Sequence, residues 1–148
     1  MPKRIVVCFD GTWNEPDDDT DVAKQAETNV RRLYESVRPR GADGREQEKW
    51  YDEGVGTKFL ERLRGGLFGL GLSENIRQGY RVLIDTYQEG DEVFVFGFSR
   101  GAYTARSLVG LIRKSGLVRR DQGGRVEDAY ELYRRYRPRN AALLPALA

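Results

Sequence analysis

Two short segments of this chain are apolar at every position, and they limit the folds that the chain can adopt. Ile5-Val6-Val7-Cys8-Phe9 precedes Asp10-Gly11, and Val93-Phe94-Val95-Phe96 precedes Gly97. A strand with one face in solvent alternates apolar and polar residues, whereas a strand covered on both faces is apolar throughout. The two segments therefore predict buried strands of a parallel sheet.

Patterns typical of amphipathic helices lie between these strands. The first pattern begins where Thr28 or Asn29 can act as the N-cap and stops before Pro39, with an apolar stripe of Val30, Leu33, Tyr34 and Val37. The second is expected to begin at a Ser73 cap and to stop before Gly90, with a stripe of Ile76, Tyr80, Leu83, Ile84 and Tyr87.

Two more helices are expected in the C-terminal half of the chain. One follows Ser99 and carries an apolar face of Ala105, Leu108, Val109 and Ile112. The other runs from Val126 to Tyr133 and is stopped by Pro138.

The remaining segments predict one further strand and three loops. Trp50-Tyr51 marks a short second strand, residues 13–28 and 54–57 are expected to be loops, and the glycine-rich residues 65–71 a loop packed against the domain. Strands that alternate with helices are typical of an α/β fold. Because crossovers between such strands are right-handed, we expect a mostly parallel sheet with flanking helices.

The composition excludes several classes of protein. Lys plus Arg (25) nearly balance Asp plus Glu (23), so no net charge favours binding to nucleic acid. A single cysteine, Cys8, excludes an internal disulfide, and no ligand spacing suggests a metal or another cofactor. No segment has the length of a signal peptide's apolar region or of a membrane span, so we expect a chain that is cytoplasmic at synthesis.

The segment Gly97-Phe98-Ser99-Arg100-Gly101 has the G-x-S-x-G spacing of a nucleophile elbow, the sharp strand-to-helix turn that presents a catalytic serine. Gly97 and Gly101 are the small residues that the close packing of this turn requires. The backbone amide of Arg100 is expected at the helix N-terminus, where it can stabilise an oxyanion. The context predicts a serine hydrolase of the α/β-hydrolase type with Ser99 as the nucleophile; a plain turn that contains a serine is the alternative.

The loop after the first strand is expected to supply the second oxyanion donor. The amides of Gly11 and Thr12 lie at the carboxyl end of that strand, and Asp10 can orient the loop by accepting backbone hydrogen bonds. An ordinary Asp-Gly turn explains any one of these residues equally well. The loop at 54–57 is expected at the same edge of the sheet, beside the pocket.

A phosphatase is a more distant interpretation of the same loop. Phe9-Asp10-Gly11-Thr12 resembles the first motif of the haloacid-dehalogenase-type phosphatases, in which two aspartates stand two residues apart. Cys8 occupies the position of the nucleophilic aspartate, so phosphoryl transfer to that position is not available. Only a phosphatase-like use of Asp10 is left open.

Four segments occur together in an order that makes a more specific resemblance: Phe9–Asn14, Thr28–Val30, Tyr51–Thr57 and Gly97–Ala102. The chain is similar to a bacterial and fungal family of uncharacterised α/β-hydrolase domains that includes the type VI secretion phospholipase effectors. This resemblance implies hydrolysis of a phospholipid or another ester, with Ser99 as the nucleophile. For the antibacterial members it also implies delivery into a target cell by a secretion apparatus, without a signal peptide, and a cognate immunity protein.

The chain departs from that family because it contains no histidine. The resemblance implies a triad in the order Ser, Asp, His, and a serine without its base is a poor nucleophile at neutral pH. We therefore expect residues 4–136 to be the N-terminal part of an incomplete catalytic domain and residues 137–148 a truncated or disordered tail.

Two consequences follow for the chain as it stands. It is expected to be an inactive or weak hydrolase, and to self-associate because a three-stranded sheet leaves a bare edge and exposed apolar helix faces. The alternative is a non-catalytic module that binds a partner or a lipid surface through the late arginines Arg134, Arg135, Arg137 and Arg139, or a degenerate remnant of the fold.

Overall fold

Three parallel strands form the centre of the domain. The computed structural model describes residues 1–11, 28–54 and 68–135. Within these ranges the strands are β1 (Arg4–Phe9), β2 (Gln47–Asp52) and β3 (Glu92–Gly97), in the order β2-β1-β3. Val7 in β1 lies opposite Trp50 in β2 and Val95 in β3, so all three strands end at one edge. The predicted parallel sheet is confirmed, and β2 is longer than Trp50-Tyr51.

In the described part of the chain, four α-helices flank this sheet, together with a short 3₁₀ helix at Arg120–Arg125. The α-helices are α1 (Asn29–Ser36), α2 (Phe68–Thr86), α3 (Arg100–Ser115) and α4 (Val126–Arg135). Thr28 is the N-cap of α1, since its hydroxyl accepts the Arg31 N–H at 3.0 Å. The predicted first, third and fourth helices are therefore confirmed.

The side chains of β1 alternate between two hydrophobic clusters. Ile5, Val7 and Phe9 pack against α2, α3 and α4 in the larger cluster, which includes Tyr80, Leu83, Leu108 and Leu111. Val6 and Cys8 lie on the opposite face, in a smaller cluster with Val30 of α1. No residue from Ile5 to Phe9 is more than 6% exposed, which confirms that β1 is covered on both faces.

The second helix begins earlier than the sequence predicts. Ser73 is not its N-cap, because α2 already starts at Phe68 and includes part of the glycine-rich segment that was expected to be a loop. Leu72 and Ile76 line the same cavity, so the apolar stripe extends back past Ser73. Packing of this stripe against the neighbouring helices outweighs the cost of glycine in a helix, which is about 1 kcal/mol per residue.

Several apolar side chains are more exposed than their patterns predict. Phe94 and Phe96 of β3 are 40% and 37% exposed, because α1 covers only the β1 and β2 side of their face of the sheet. Val109 is 51% exposed and does not share the buried face of α3, which includes Leu111 instead. Tyr87 lies just beyond the end of α2 and is also exposed.

Candidate active site

The backbone at Ser99 is strained in the turn between β3 and α3. Its φ and ψ angles are 53° and −121°, and Ser99 is the one non-glycine residue with a positive φ among those that the structure describes. Such a conformation costs about 1–3 kcal/mol and persists only where its surroundings hold it. The Ser99 side chain is exposed, and its hydroxyl makes no capping hydrogen bond to α3.

Two glycines allow this turn to pack. A Cβ atom at Gly97 would collide with the backbone carbonyl oxygen of Gly101. A Cβ atom at Gly101 would collide with the carbonyl oxygen of Phe9 and lie 2.8 Å from that of Asp10. The N-terminus of α3 therefore rests directly on the backbone at the end of β1, and any side chain at these two positions would push it away.

The end of β1 lies against the serine. A Cβ atom at Gly11 would lie 3.2 Å from Ser99 Cβ and 3.1 Å from Phe98 Cδ1. The Phe98 N–H also donates a hydrogen bond to the Phe9 carbonyl oxygen at 3.1 Å. The structure thus brings together Asp10, Gly11 and the 97–101 turn, whereas Thr12 lies outside the described residues.

Asp10 is 4% exposed, and its carboxylate is surrounded by donors. Oδ1 accepts the Gly11 N–H at 2.7 Å. Oδ2 accepts the hydroxyl of Thr28 at 2.5 Å and the hydroxyl of Tyr51 at 2.5 Å. A buried carboxylate requires such charge-assisted hydrogen bonds to offset its loss of hydration.

These contacts bear on which amides can stabilise an oxyanion. The Gly11 N–H is already engaged by the carboxylate of its own neighbour, Asp10, and is not directed to a substrate. The Arg100 amide lies in the first turn of α3, directly after Ser99, which is the position predicted for an oxyanion donor.

Burial shifts the pKa of two further groups near the elbow. It lowers the pKa of the half-buried Arg100 guanidinium, and it raises the pKa of the Asp52 carboxyl at the end of β2. Asp52 Oδ1 accepts the Gly54 N–H at 2.9 Å, but Oδ2 is buried and has no hydrogen-bond partner within the described ranges.

Sequence reasoning missed three of the residues around this edge. None of Asp52, Tyr51 and Thr28 was predicted to be part of the site, although all three lie in segments that carry the family resemblance. The available signal for Asp52 was its place directly after the predicted strand Trp50-Tyr51, as Asp10 directly follows the first strand. Of the predicted 54–57 loop, Gly54 lies at this edge, and residues 55–57 are outside the described part of the chain.

The surroundings of Cys8 and Asp10 do not favour a phosphatase. Cys8 is fully buried, and burial, with a smaller contribution from Asp10, raises the pKa of its thiol to about 11. The Asp10 carboxylate is buried and holds three donors of the chain itself. Neither group is available to attack a phosphate ester.

A separate cavity of about 320 Å³ lies between α2, α3 and α4. Its lining includes Leu72, Ile76, Tyr103, Ser107, Tyr130 and Tyr133, but neither Ser99 nor Gly11. We therefore do not assign the elbow's substrate to this cavity.

Comparison with known protein families identifies the chain. The sequence profile of the family described as "T6SS, Phospholipase effector Tle1-like, catalytic domain" matches residues 3–143. The chain belongs to this family. Its membership in the Tle1-like family confirms the resemblance to the type VI secretion phospholipase effectors that the four segments predict.

A relative of the Tle1-like chain occurs in yeast. The uncharacterized protein YEL023C of Saccharomyces cerevisiae is 30% identical over 149 aligned positions, which cover 90% of this chain and 21% of the yeast protein. The chain thus spans about a fifth of the length of this relative. No solved structure matches the chain. Among the described helices, none has the length and apolarity needed to cross a membrane.

Proposed function

We propose that this Tle1-like chain carries the nucleophile of a serine-dependent phospholipase of the α/β-hydrolase type, with Ser99 as that nucleophile. One observation carries the proposal: Ser99 is held in a strained, exposed turn at the N-terminus of α3, against Gly11 at the end of β1. Strain of this kind is concentrated at functional sites, and an exposed turn with no catalytic role has no need of it.

The reaction would be acyl transfer through Ser99. Its Oγ forms a bond to the carbonyl carbon of the substrate ester while a base accepts the hydroxyl proton. The resulting oxyanion faces the Arg100 amide, and we assign the second donor to the amide of Thr12 because the Gly11 N–H is engaged. Collapse of this intermediate expels the alcohol with a proton and leaves an acyl-serine, which water then hydrolyses.

The histidine base that the family resemblance implies is missing from the 148 residues. Among the described residues beside the elbow, the Asp10 carboxylate already accepts three hydrogen bonds from the chain itself. We propose that the chain alone hydrolyses esters weakly or not at all, and that residues 4–136 are the N-terminal part of a larger catalytic domain.

Family membership supports the choice of substrate and setting. The family is named for phospholipase effectors of type VI secretion, so we propose a phospholipid substrate and delivery by that apparatus into another cell. A cognate immunity protein is proposed on the same basis. A non-catalytic binding module is the second candidate, favoured by the missing histidine and by the exposed Arg134 and Arg135 of α4.

The test measures the release of fatty acid from phospholipid vesicles, with and without millimolar imidazole as an external base. Imidazole is expected to raise release by the wild-type chain at least about tenfold above that of Ser99→Ala. Ser115→Ala is the matched control, because the hydrogen bond that the Ser115 hydroxyl makes among the described residues stays within its own helix, at Leu111 O. Release that is equal in the wild type and Ser99→Ala would support the binding module instead.

A further inference from the structure

One carboxylate joins three segments that are distant in the sequence. Asp10 follows β1, Thr28 is the N-cap of α1, and Tyr51 lies near the end of β2. Both hydroxyls donate to the same oxygen, Asp10 Oδ2, at 2.5 Å each, while Oδ1 holds the Gly11 N–H. The direction of the Gly11 peptide is therefore linked to the positions of α1 and β2.

The backbone of Asp10 is held as closely as its side chain. Its N–H donates to the Asp52 carbonyl oxygen at 2.8 Å. Its own carbonyl oxygen lies 2.8 Å from where a Cβ atom at Gly54 would be, and 2.8 Å from the corresponding point at Gly101. Gly54, which has a φ of 82°, thus packs against this peptide from the β2 side. Gly101 packs against it from the α3 side.

We infer that Tyr51 and Thr28 are positioning residues for Ser99, acting through the Asp10 carboxylate. Their hydroxyls fix the carboxylate, the carboxylate fixes the Gly11 N–H, and Gly11 lies against Ser99 and Phe98. That this arrangement serves ester hydrolysis rests on the function proposed above.

The Tyr51 hydroxyl has a role separable from its ring. The ring packs against Tyr34, at a centroid distance of 5.1 Å, and under the Arg31 guanidinium, 5.0 Å from the ring centroid. Both ring contacts remain in Tyr51→Phe, which removes the donor to Asp10 and the contact of the hydroxyl with the Arg31 guanidinium. Burial and the Asp10 carboxylate raise the pKa of the Tyr51 phenol, so the donor stays protonated at all ordinary pH values.

The experiment compares Tyr51→Phe with Tyr34→Phe by amide NMR on the 148-residue chain. Loss of a hydrogen bond to a charged group is expected to raise hydrogen exchange at the Gly11 N–H about tenfold and to move the Ser99 amide resonance. Exchange at Val7, in the middle of β1, is expected to stay unchanged. Tyr34→Phe, in the same cluster, is expected to change none of the three.

A second pair of variants tests whether the hydroxyl of Thr28, rather than its methyl group, acts on Gly11. Thr28→Val removes both the Asp10 contact and the N-cap of α1, whereas Thr28→Ser keeps a hydroxyl. Thr28→Ser is therefore expected to restore slow exchange at Gly11 and the wild-type Ser99 resonance. Failure of this rescue would overturn the assignment of Thr28.

Labelling of Ser99 by a fluorophosphonate, with imidazole added, separates the inference from the proposed function. In Tyr51→Phe the labelling rate is expected to fall about tenfold. A wild-type chain that stays unlabelled would contradict the proposed function, while the NMR result still decides whether Tyr51 positions Ser99. An unmoved Ser99 resonance in Tyr51→Phe, or an equal rise in exchange at Val7 and Gly11, would overturn the inference.

Discussion

The first and third strands of this domain look alike in sequence but differ in their surroundings. β1 is the middle strand, and Ile5 to Phe9 are almost completely buried between two clusters. β3 pairs with β1 alone among the described strands, and its Phe94 and Phe96 remain more than one-third exposed. The difference shows that an apolar run predicts a strand, but that the burial of the two faces of this strand depends on the position of the strand in the sheet.

The candidate site lies where these two strands end. Asp10, after β1, is buried and fully hydrogen-bonded, whereas Ser99, after β3, is exposed and strained. One side of the site is thus fixed by β1, β2 and α1, and no described residue covers the other side. We infer that the fixed side positions the nucleophile and that the open side is where the substrate and the missing base would approach.

The largest expected effect is on the contact that joins the two strands' ends. Gly101→Ala places a Cβ atom against the Phe9 carbonyl oxygen, so we expect it to lower the free energy of unfolding by about 3 kcal/mol or more. Gly123→Ala is the control, because nothing lies within 4 Å of a Cβ atom there. Urea unfolding measures both. Equal stabilities would mean that α3 does not rest on β1.

A smaller effect is expected when the two strands are compared directly. Val7→Ala empties a fully buried position and should cost about 2 kcal/mol. Phe94→Ala removes a side chain that is 40% exposed and should cost about 1 kcal/mol or less. If thermal unfolding shows that Phe94→Ala costs more stability than Val7→Ala, the face of β3 that carries Phe94 is covered in solution.

Self-association provides a second test of the open face. We expect the wild-type chain to elute larger than a monomer in size-exclusion chromatography, because β3 has an unpaired edge within the described residues and two exposed phenylalanines. Phe94→Lys is expected to shift the elution to the monomer. The control is Leu132→Lys, a 50% exposed position on α4 that should leave the elution unchanged.

The smallest effect concerns Asp52, the one described carboxylate at the fixed side with an unpaired oxygen. Burial raises the pKa of Asp52 above the ordinary 3.8, because the folded state disfavours the charged carboxylate. The contribution of Asp52 to the free energy of unfolding is therefore fully present below pH 3.8, and it is lost as the pH rises through the folded-state pKa. From about pH 4 to about pH 7 we therefore expect the wild type to lose stability relative to Asp52→Asn. Parallel urea titrations at several pH values measure the difference. A difference that is constant with pH would contradict the raised pKa.

Local patterns were sufficient to predict much of this fold. The apolar run at residues 5–9, the Thr28 cap and the stripe that begins at Val126 each identify an element from neighbouring residues alone. Local patterns were insufficient where packing between elements determines burial. The exposure of Val109 and Phe94, for example, depends on which neighbouring elements cover them. The early start of α2 likewise depends on packing that outweighs glycine propensity.

The site was predictable to a similar extent. The elbow glycines at 97 and 101 follow from the steric demands of one turn, and they are only four positions apart in the sequence. The Thr28 and Tyr51 contacts with Asp10 were not predictable, because they depend on the register of β2 against β1 and on the position of α1. The hydrogen bond from the Gly11 N–H to Asp10 was not predictable either, because the sequence does not determine the direction of the Asp10 side chain.

The most direct test of the account is to map a fluorophosphonate adduct on the chain by mass spectrometry, with imidazole supplied as the base. If the strained turn makes Ser99 the nucleophile, the adduct is expected on Ser99 and is lost in Ser99→Ala but kept in Ser115→Ala. Adducts spread over several serines, at levels that Ser99→Ala does not change, would contradict the account.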